Sequence, residues 1–402
     1  MKSIRVPISG FSALLFGAAL IVALSAWACL GPANAPEREE GFSEADILFG
    51  QTAAFSGPAE ALGKGMRLGI EAAFHEANAS GGVHGRMLKL KAVDDRYEPG
   101  VSVQTTERLI KQDRVFALIG AVGTPTSSAA SPLANEAGVP FLGPLTGAGF
   151  LRDPSLSNVF NIRASYHQET EEMIARLTED LGITRVGVFH QDDSFGLDGL
   201  EGVRLALERR GLEPVDSWDY ERNSGTNIRA INDIVAANPE AIIMIGTQDA
   251  VATTIKLVNR DILPVFMTVS FVGGEALAQT LGEEGNGVYV TQVVPYPTDA
   301  GTPVVARYHA ALSSYDAEAE PGFVSLEGYL AGRLAISGLE ACGRELSREC
   351  FMDALRVSDV IDIDGFQLRY GPDDNQGSDA VFLTVIGPGG EYEPVDALRA
   401  GY

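Results

Sequence analysis

The chain has 402 residues, 45% of them hydrophobic, which is enough for two ordinary domains with separate cores. Charged residues make up 21%, and beyond the N-terminal segment no low-complexity tract occurs, which excludes long disordered regions. The 54 acidic and 30 basic residues give a net charge of −24, and this sign excludes nucleic acid and anionic membrane surfaces as partners.

Residues 1–28 have the features of a signal peptide. Lys2 and Arg5 precede a strongly apolar run, and Ala26-Trp27-Ala28 has the small-x-small form of a cleavage site. An uncleaved membrane anchor is the alternative, and both interpretations place the body outside the cytoplasm. Cys29 follows the cleavage site directly, which resembles a bacterial lipoprotein signal. We therefore predict lipidation at Cys29, with simple secretion as the alternative.

The other two cysteines, Cys342 and Cys350, are eight positions apart. In an oxidising compartment they would close a small loop, so a disulfide is predicted, with two free thiols as the alternative. Cys29 then remains unpaired, in keeping with lipidation.

Residues 29–44 mix Pro, Gly and Glu without periodicity and are predicted to form a tether. Apolar strands and amphipathic helices then alternate as β-α-β-α-β-α-β up to residue 144, which predicts a parallel sheet covered on both faces. The pattern restarts near residues 160–168 and forms a second α/β unit of similar size. Two helical stretches after it, within 304–342, are surplus and could complete the first unit. Residues 362–395 are predicted to form short antiparallel strands.

Two neighbouring strand ends carry uncharged hydrogen-bonding groups. The stretch from Gly120 to Pro132 follows a strand, opens a helix and contains five hydroxyl side chains: Thr124, Thr126, Ser127, Ser128 and Ser131. Free N–H groups at a helix start and nearby hydroxyls favour a carboxylate or another acceptor. Helix capping and tight packing are the alternative roles. The next strand ends in a similar turn that contains Thr146. Polar, uncharged turns of this kind suit binding and release better than chemistry.

Motifs for catalysis or for a cofactor are not found in the sequence. None of the five histidines has metal-ligand spacing, and G-x-S-x-G, the Walker loop and G-x-G-x-x-G are lacking. We therefore expect no enzyme activity, no cofactor and no metal.

Five segments together resemble one known family. They are FSGP with the helix start after it (55–65), EANASGGVHGRMLKL (76–90), VDDRYEP (93–99), the long stretch 118–144, and DDSFGLDGLEGV (192–203). Their order and spacing resemble the type I periplasmic solute-binding proteins, in the leucine/isoleucine/valine-binding branch of ABC transporter receptors.

The resemblance implies an α/β fold of two doubly wound parallel-sheet lobes joined by three hinge crossovers. Lobe 1 would comprise 45–164 and 295–365, and lobe 2 would comprise 165–294 and 366–402. Ligand binding would select the closed population of the two lobes and present a surface to a membrane permease.

The same resemblance assigns the carboxylate end of the cleft. Thr124 falls where the family places a hydroxyl that grips the ligand carboxylate. Leu145, Thr146 and Gly147 match the second carboxylate turn, in which Thr146 is the expected side-chain contact.

Four further cleft positions depart from the family pattern. Leu62 falls at an aromatic wall position, with ordinary core packing as the alternative. Phe195 and Gln248 fall where tyrosines reach the cleft, and core packing is also the alternative for Phe195. Ser270 falls near an acidic residue that holds the ammonium group of an amino acid.

The departure at Ser270 affects the choice of ligand. A buried ammonium without a negative partner costs several kcal/mol, so an α-amino acid needs an acid here. Asp193 and Asp249 are the two acids that could substitute for it. A carboxylate, an amide or another solute without an ammonium is the alternative.

The resemblance implies an extracytoplasmic receptor for an ABC importer, located in the periplasm or on the extracellular face. Its partners would be a small organic solute and a membrane permease, and it would be a monomer. A ligand-sensing ectodomain partner of a signalling receptor is the main alternative, and an envelope interaction protein with a degenerate cleft is a third.

Overall fold

The structure is a computed structural model that describes Met1 and residues 40–225, 227–272 and 274–399. Apart from Met1, the predicted signal peptide lies outside these residues, and so do Cys29 and most of the predicted tether. Among the described residues, no helix has the length and apolar character needed to cross a membrane.

The first lobe is built on a five-stranded parallel sheet of order β2-β1-β3-β4-β5. Its strands are β1 (Asp46–Ala53), β2 (Met87–Asp94), β3 (Ala117–Ile119), β4 (Phe141–Leu142) and β5 (Val159–Phe160). Between them lie α1 (Glu60–Ala79), α2 (Pro99–Lys111) and α3 (Thr124–Glu136). Strands β3, β4 and β5 are buried throughout, as expected for strands covered on both faces.

The second lobe continues the alternation. Its strands are β6 (Val186–Gln191), β7 (Ser217–Tyr220), β8 (Ala241–Ile245), β9 (Val265–Thr268) and β10 (Tyr289–Gln292). Its helices are α4 (Tyr166–Asp180), α5 (Ser194–Glu208), α6 (Ile228–Ala237), α7 (Gln248–Val258) and α8 (Gly274–Leu281). These five strands are parallel to one another.

The two surplus helices belong to the first lobe. Helices α9 (Pro303–Tyr315) and α10 (Phe323–Cys342) pack against α1. The approach of α10 is close, because a Cβ on Gly69 would lie 1.8 Å from the carbonyl oxygen of Ser325. Helix α11 (Arg348–Val357) follows, and the Arg348 guanidinium donates to the carbonyl oxygens of Val115 and Phe116, just before β3.

The C-terminal strands are short and antiparallel, as predicted. Strands β11 (Ile361–Ile363) and β12 (Phe366–Leu368) form a hairpin of their own. Strands β13 (Phe382–Ile386) and β14 (Tyr392–Pro394) join the second sheet, whose order is β14-β13-β10-β9-β8-β6-β7. The two mixed α/β lobes confirm the predicted fold class.

Three passages of the chain lie between the lobes, at 161–165, 293–302 and 369–381. The first and third are bonded to each other. The Asn161 N–H donates to the Asn375 carbonyl at 2.8 Å, and the Gly377 N–H donates to the Asn161 carbonyl at 2.8 Å. The lobe boundaries proposed from the sequence stay predictions.

Two features differ from the sequence interpretation, and a third concerns the predicted disulfide. Phe42, assigned to the tether, forms a bridge with Ile47 and packs its ring 6.1 Å from that of Phe116. Helices α8 and α11 were not predicted, because each is short and follows a loop rather than a clear apolar period. Cys342 and Cys350 form a disulfide with their Cα atoms 5.7 Å apart.

Candidate functional site

Two turns at the carboxyl ends of β3 and β4 lie side by side. The Leu145 N–H donates to the Ala121 carbonyl at 2.7 Å, and the Gly123 N–H donates to the Leu145 carbonyl at 3.2 Å. Gly123 has φ 97°, and a Cβ there would lie 2.3 Å from Cε2 of Tyr97. Glycine is therefore required both by the backbone conformation and by the Tyr97 ring.

A pair of buried hydroxyl groups joins these turns. Oγ1 of Thr124, the first residue of α3, lies 2.7 Å from Oγ1 of Thr146, and both residues are fully buried. The Ala148 N–H donates to Oγ1 of Thr146 at 3.2 Å. One threonine donates to the other, so the pair keeps one hydroxyl proton for an acceptor.

The other hydroxyls of this stretch have different roles. Thr126 Oγ1 donates back to the carbonyl oxygens of Val122 and Gly123, which stabilises the first turn of α3. Ser128 is exposed, and Ser131 is buried. Oγ of Ser127 is buried and has no hydrogen-bond partner among the described residues.

Tyr166, the first residue of α4, covers this pair from the second lobe. Its ring packs on Gly147, where a Cβ would lie 2.6 Å from Cδ1. Burial raises the pKa of Tyr166 to about 12, although the neighbouring Arg163 and the hydroxyls of Thr146 and Thr124 act in the opposite direction. The Tyr166 hydroxyl has no hydrogen-bond partner of normal geometry among the described residues.

An aromatic wall continues from Tyr166 to the first lobe. The ring centroids of Tyr166 and Phe195 are 5.3 Å apart, and those of Phe195 and Phe271 are 4.7 Å apart. The Phe271 centroid lies 6.1 Å from that of Tyr97. All four residues are buried, so the wall spans both lobes.

Ser270 lies at the centre of a buried polar network. Its N–H and its hydroxyl donate to Glu169, at 2.8 Å and 3.0 Å, and the hydroxyl of Thr291 donates to the same carboxylate at 2.6 Å. Nη2 of Arg163 donates to Oγ of Ser270. The predicted acid position is thus occupied by a hydroxyl that joins an arginine to a glutamate.

Direct contacts hold the two lobes together across the cleft. Nη1 of Arg222 donates to the Tyr97 carbonyl at 2.6 Å and to Oε2 of Glu98 at 3.0 Å. The Gln191 amide donates to the Tyr97 hydroxyl at 3.3 Å. The Gly149 N–H lies 3.2 Å from the Asp198 carboxylate. The structure is therefore a closed arrangement of the two lobes.

This geometry is that of two α/β lobes closed on each other, and sequence comparison identifies a family with such a fold. Residues 46–391 match the model of a family described as periplasmic binding protein. The chain is a type I periplasmic binding protein. It belongs to the leucine/isoleucine/valine-binding group of that family, which confirms the predicted resemblance.

Individual relatives support the same placement. This binding protein is 36% identical to the solved structure of a possible leucine/isoleucine/valine-binding protein from Rhodopirellula baltica, with a TM-score of 0.83 over 89% of this chain and 98% of that one. A substrate-binding periplasmic protein from Ralstonia solanacearum is 27% identical, with a TM-score of 0.81 over 87% and 100% of the two chains. Leu/Ile/Val-binding protein homolog 7 from Brucella abortus is 25% identical over 74% of this chain and 77% of its own.

The binding protein brings together Thr124, Thr146, Gly147, Phe195 and Ser270 in one buried region through Tyr166, Phe271 and Arg163. Three other predicted residues have different surroundings. Their role in binding stays a prediction.

The Leu145 N–H donates to the neighbouring turn, so it is unavailable to a ligand carboxylate. Leu62 lines a separate cavity of about 250 Å³ together with Ala276 and Pro321. The Gln248 amide donates to the Ala276 carbonyl at 2.8 Å and to the Thr280 hydroxyl at 2.5 Å, which directs it toward α8.

Sequence reasoning missed Tyr97, Arg163, Tyr166 and Glu169. Tyr97 lies within VDDRYEP, one of the segments that carry the family resemblance. Arg163, Tyr166 and Glu169 lie in NIRASYHQE, directly after a buried strand. Charged residues that follow a buried strand at a lobe junction were the signal that could have found them.

Proposed function

We propose that this protein is the extracytoplasmic solute-binding receptor of an ABC importer, and that it captures a small organic solute between its lobes. The family consists of solute-binding proteins rather than enzymes, and uncharged donors dominate the turns at the cleft. The observation that carries the proposal is the Thr124–Thr146 hydroxyl pair, which is buried next to Tyr166 of the other lobe; the Tyr166 ring packs in turn on Phe195.

The proposed binding mode follows from these donors. The free hydroxyl proton of the threonine pair and the start of α3 would hold an acceptor group of the solute. The aromatic wall would cover its apolar part. Closure would then present a joint surface of both lobes to the permease. The amino-acid, carboxylate and amide classes all contain such an acceptor.

Thermal unfolding of the full-length chain with a solute panel tests the binding step. The panel includes amino acids, carboxylates and amides, and a ligand at about 100 times its Kd adds ~2.7 kcal/mol to the free energy of unfolding. A shift with any member supports a receptor, whereas no shift with any member contradicts it. Loss of uptake of that solute in cells lacking the protein would support the importer role.

A further inference from the structure

Arg163 is a buried cation in the first passage between the lobes. Its side chain is 1% exposed, and its charge faces two acids: Nη2 lies 3.7 Å from Glu169 and Nε lies 3.6 Å from Glu327. A guanidinium carries five N–H donors and no acceptor, so its burial requires acceptors on several sides.

Both neighbouring acids are already engaged with positive or donor groups. Glu169 accepts three hydrogen bonds from the second lobe, through Ser270 and Thr291. Glu327 faces Arg163 and also interacts with Arg152. The formal charges of the two arginines and of the two glutamates therefore sum to zero. Burial raises the pKa of Glu327, which further weakens it as a partner for a ligand cation.

Arg163 and Tyr166 both keep a polar group without a normal hydrogen bond. Nη1 of Arg163 has no hydrogen-bond partner among the described residues, and Nε has only the longer contact with Glu327. The Tyr166 hydroxyl has no partner of normal geometry among the same residues. Arg163 and Tyr166 interact electrostatically, and Tyr166 interacts in turn with Thr124 and Thr146. The unpaired groups of Arg163 are therefore charged donors, and leaving such donors unpaired is costly.

We propose that Arg163 is a ligand-binding residue and that the solute is a small organic carboxylate without an ammonium group. Its negative end would be held by Arg163, Tyr166 and the Thr124–Thr146 pair. The planar guanidinium matches a carboxylate, and charge-assisted bonds of this kind are the strong ones. The α-ammonium of an amino acid would instead approach the Arg163 guanidinium, which repels it, and Glu169 and Glu327, which already have partners. This inference rests on the proposed function and names its ligand class.

The test uses solutes matched in shape. Calorimetry on the full-length chain compares leucine with 4-methyl-2-oxopentanoate, 4-methylpentanoate and 4-methylpentanamide. The corresponding oxo acid, deaminated acid and amide of phenylalanine and of glutamate are compared with their amino acids in the same way, so that larger and more polar solutes are included. We expect at least one carboxylate without an ammonium to bind about 10-fold or more tightly than its amino acid and its amide.

Variants test the role of Arg163. Arg163→Gln should weaken carboxylate binding about 10- to 100-fold and leave amide binding nearly unchanged, so that the preference for acid over amide is lost. Arg163→Lys keeps the charge and should retain part of that preference. Arg176→Gln removes an arginine from the surface pair with Glu172 on α4 and should change neither affinity.

The outcomes separate the two proposals. Binding confined to amino acids, weakened by Glu327→Gln, would make Glu327 the ammonium partner and overturn this inference while the receptor function stands. Binding of no solute would overturn the receptor function and this inference with it. An equal loss of acid and amide binding in Arg163→Gln would make Arg163 a structural residue. If Arg163→Gln fails to fold, the affinities of the wild-type protein for the matched solutes and the acid-over-amide preference of Arg163→Lys test the inference instead.

Discussion

The hydroxyls of Thr124 and Thr146 lie 2.7 Å apart and belong to turns after two different strands. Neither turn could present such a pair alone. Their contact depends on the parallel pairing of β3 with β4, which brings both carboxyl ends to the same edge of the sheet. The site is thus a product of sheet topology, and single changes in either turn should affect it.

Thr124→Val should weaken solute binding about 3- to 10-fold, because it removes one hydroxyl and keeps the side-chain shape. It should also lower the free energy of unfolding by about 1–3 kcal/mol, since the Thr146 hydroxyl loses its buried partner. Calorimetry and denaturant unfolding measure the two effects. Ser128→Ala, at an exposed position of the same helix, is the control and should change neither. Unchanged affinity in Thr124→Val would remove Thr124 from the site.

Arg222→Ala should favour the open arrangement of the lobes, because it removes the donor to the Tyr97 carbonyl and to Glu98. The Arg222 side chain is 23% exposed, so we expect a loss of about 1 kcal/mol, seen as faster ligand release and roughly 5-fold weaker binding. Stopped-flow dissociation measures the release rate.

The control for Arg222 is Arg229→Ala on α6, whose 3.7 Å pair with Asp233 lies within one helix. It should leave ligand release unchanged. A release rate in Arg222→Ala equal to that of the wild type would mean that other contacts determine closure.

Asp95 should make the protein more stable as the pH falls through about 6. Burial raises the pKa of Asp95 to about 6, well above the value near 3.9 for an unfolded chain. The folded state therefore binds a proton first, and stability rises between about pH 7 and pH 4 by up to ~3 kcal/mol. Urea unfolding at several pH values measures this gain.

Asp95→Asn is the matched variant, because it lacks the titrating group and keeps the shape. Its stability should change less over the same pH range than that of the wild type. Parallel pH profiles of the two proteins would show that Asp95 titrates normally.

Replacement of both Cys342 and Cys350 by serine should lower the free energy of unfolding by roughly 2–3 kcal/mol, the loop-closure contribution expected for so short a loop. Ligand affinity should remain, because α11 contacts residues before β3 whereas Thr124 follows that strand. Thermal unfolding with and without reductant provides the comparison. An unchanged midpoint would contradict the prediction.

Much of the fold could be predicted from the sequence, because the apolar strands and amphipathic helices alternate with clear periods. The packing of α9 and α10 on the first lobe was anticipated because those helices were surplus to the second. Thr124 and Thr146 could be located because small hydroxyls follow apolar strands. These signals are local, and the sequence shows them directly.

The rest of the site depends on contacts between distant segments. Gln248 was expected in the cleft, but its amide is taken by α8, a helix that the sequence did not predict. The partners of Arg163 come from α4, α10 and the segment after β9, and no spacing in the sequence joins them. Such networks become visible only when the lobes are assembled.

Asn161 is hydrogen-bonded on both sides to the third passage between the lobes, at Asn375 and Gly377. Two adjacent chain segments joined in this way must bend together and so form a single hinge. Opening should then be a rotation about a single axis beside Asn161, with little movement there and the widest gap at the opposite edge. A solute would enter and leave by that far edge, where Arg222 and Glu98 meet.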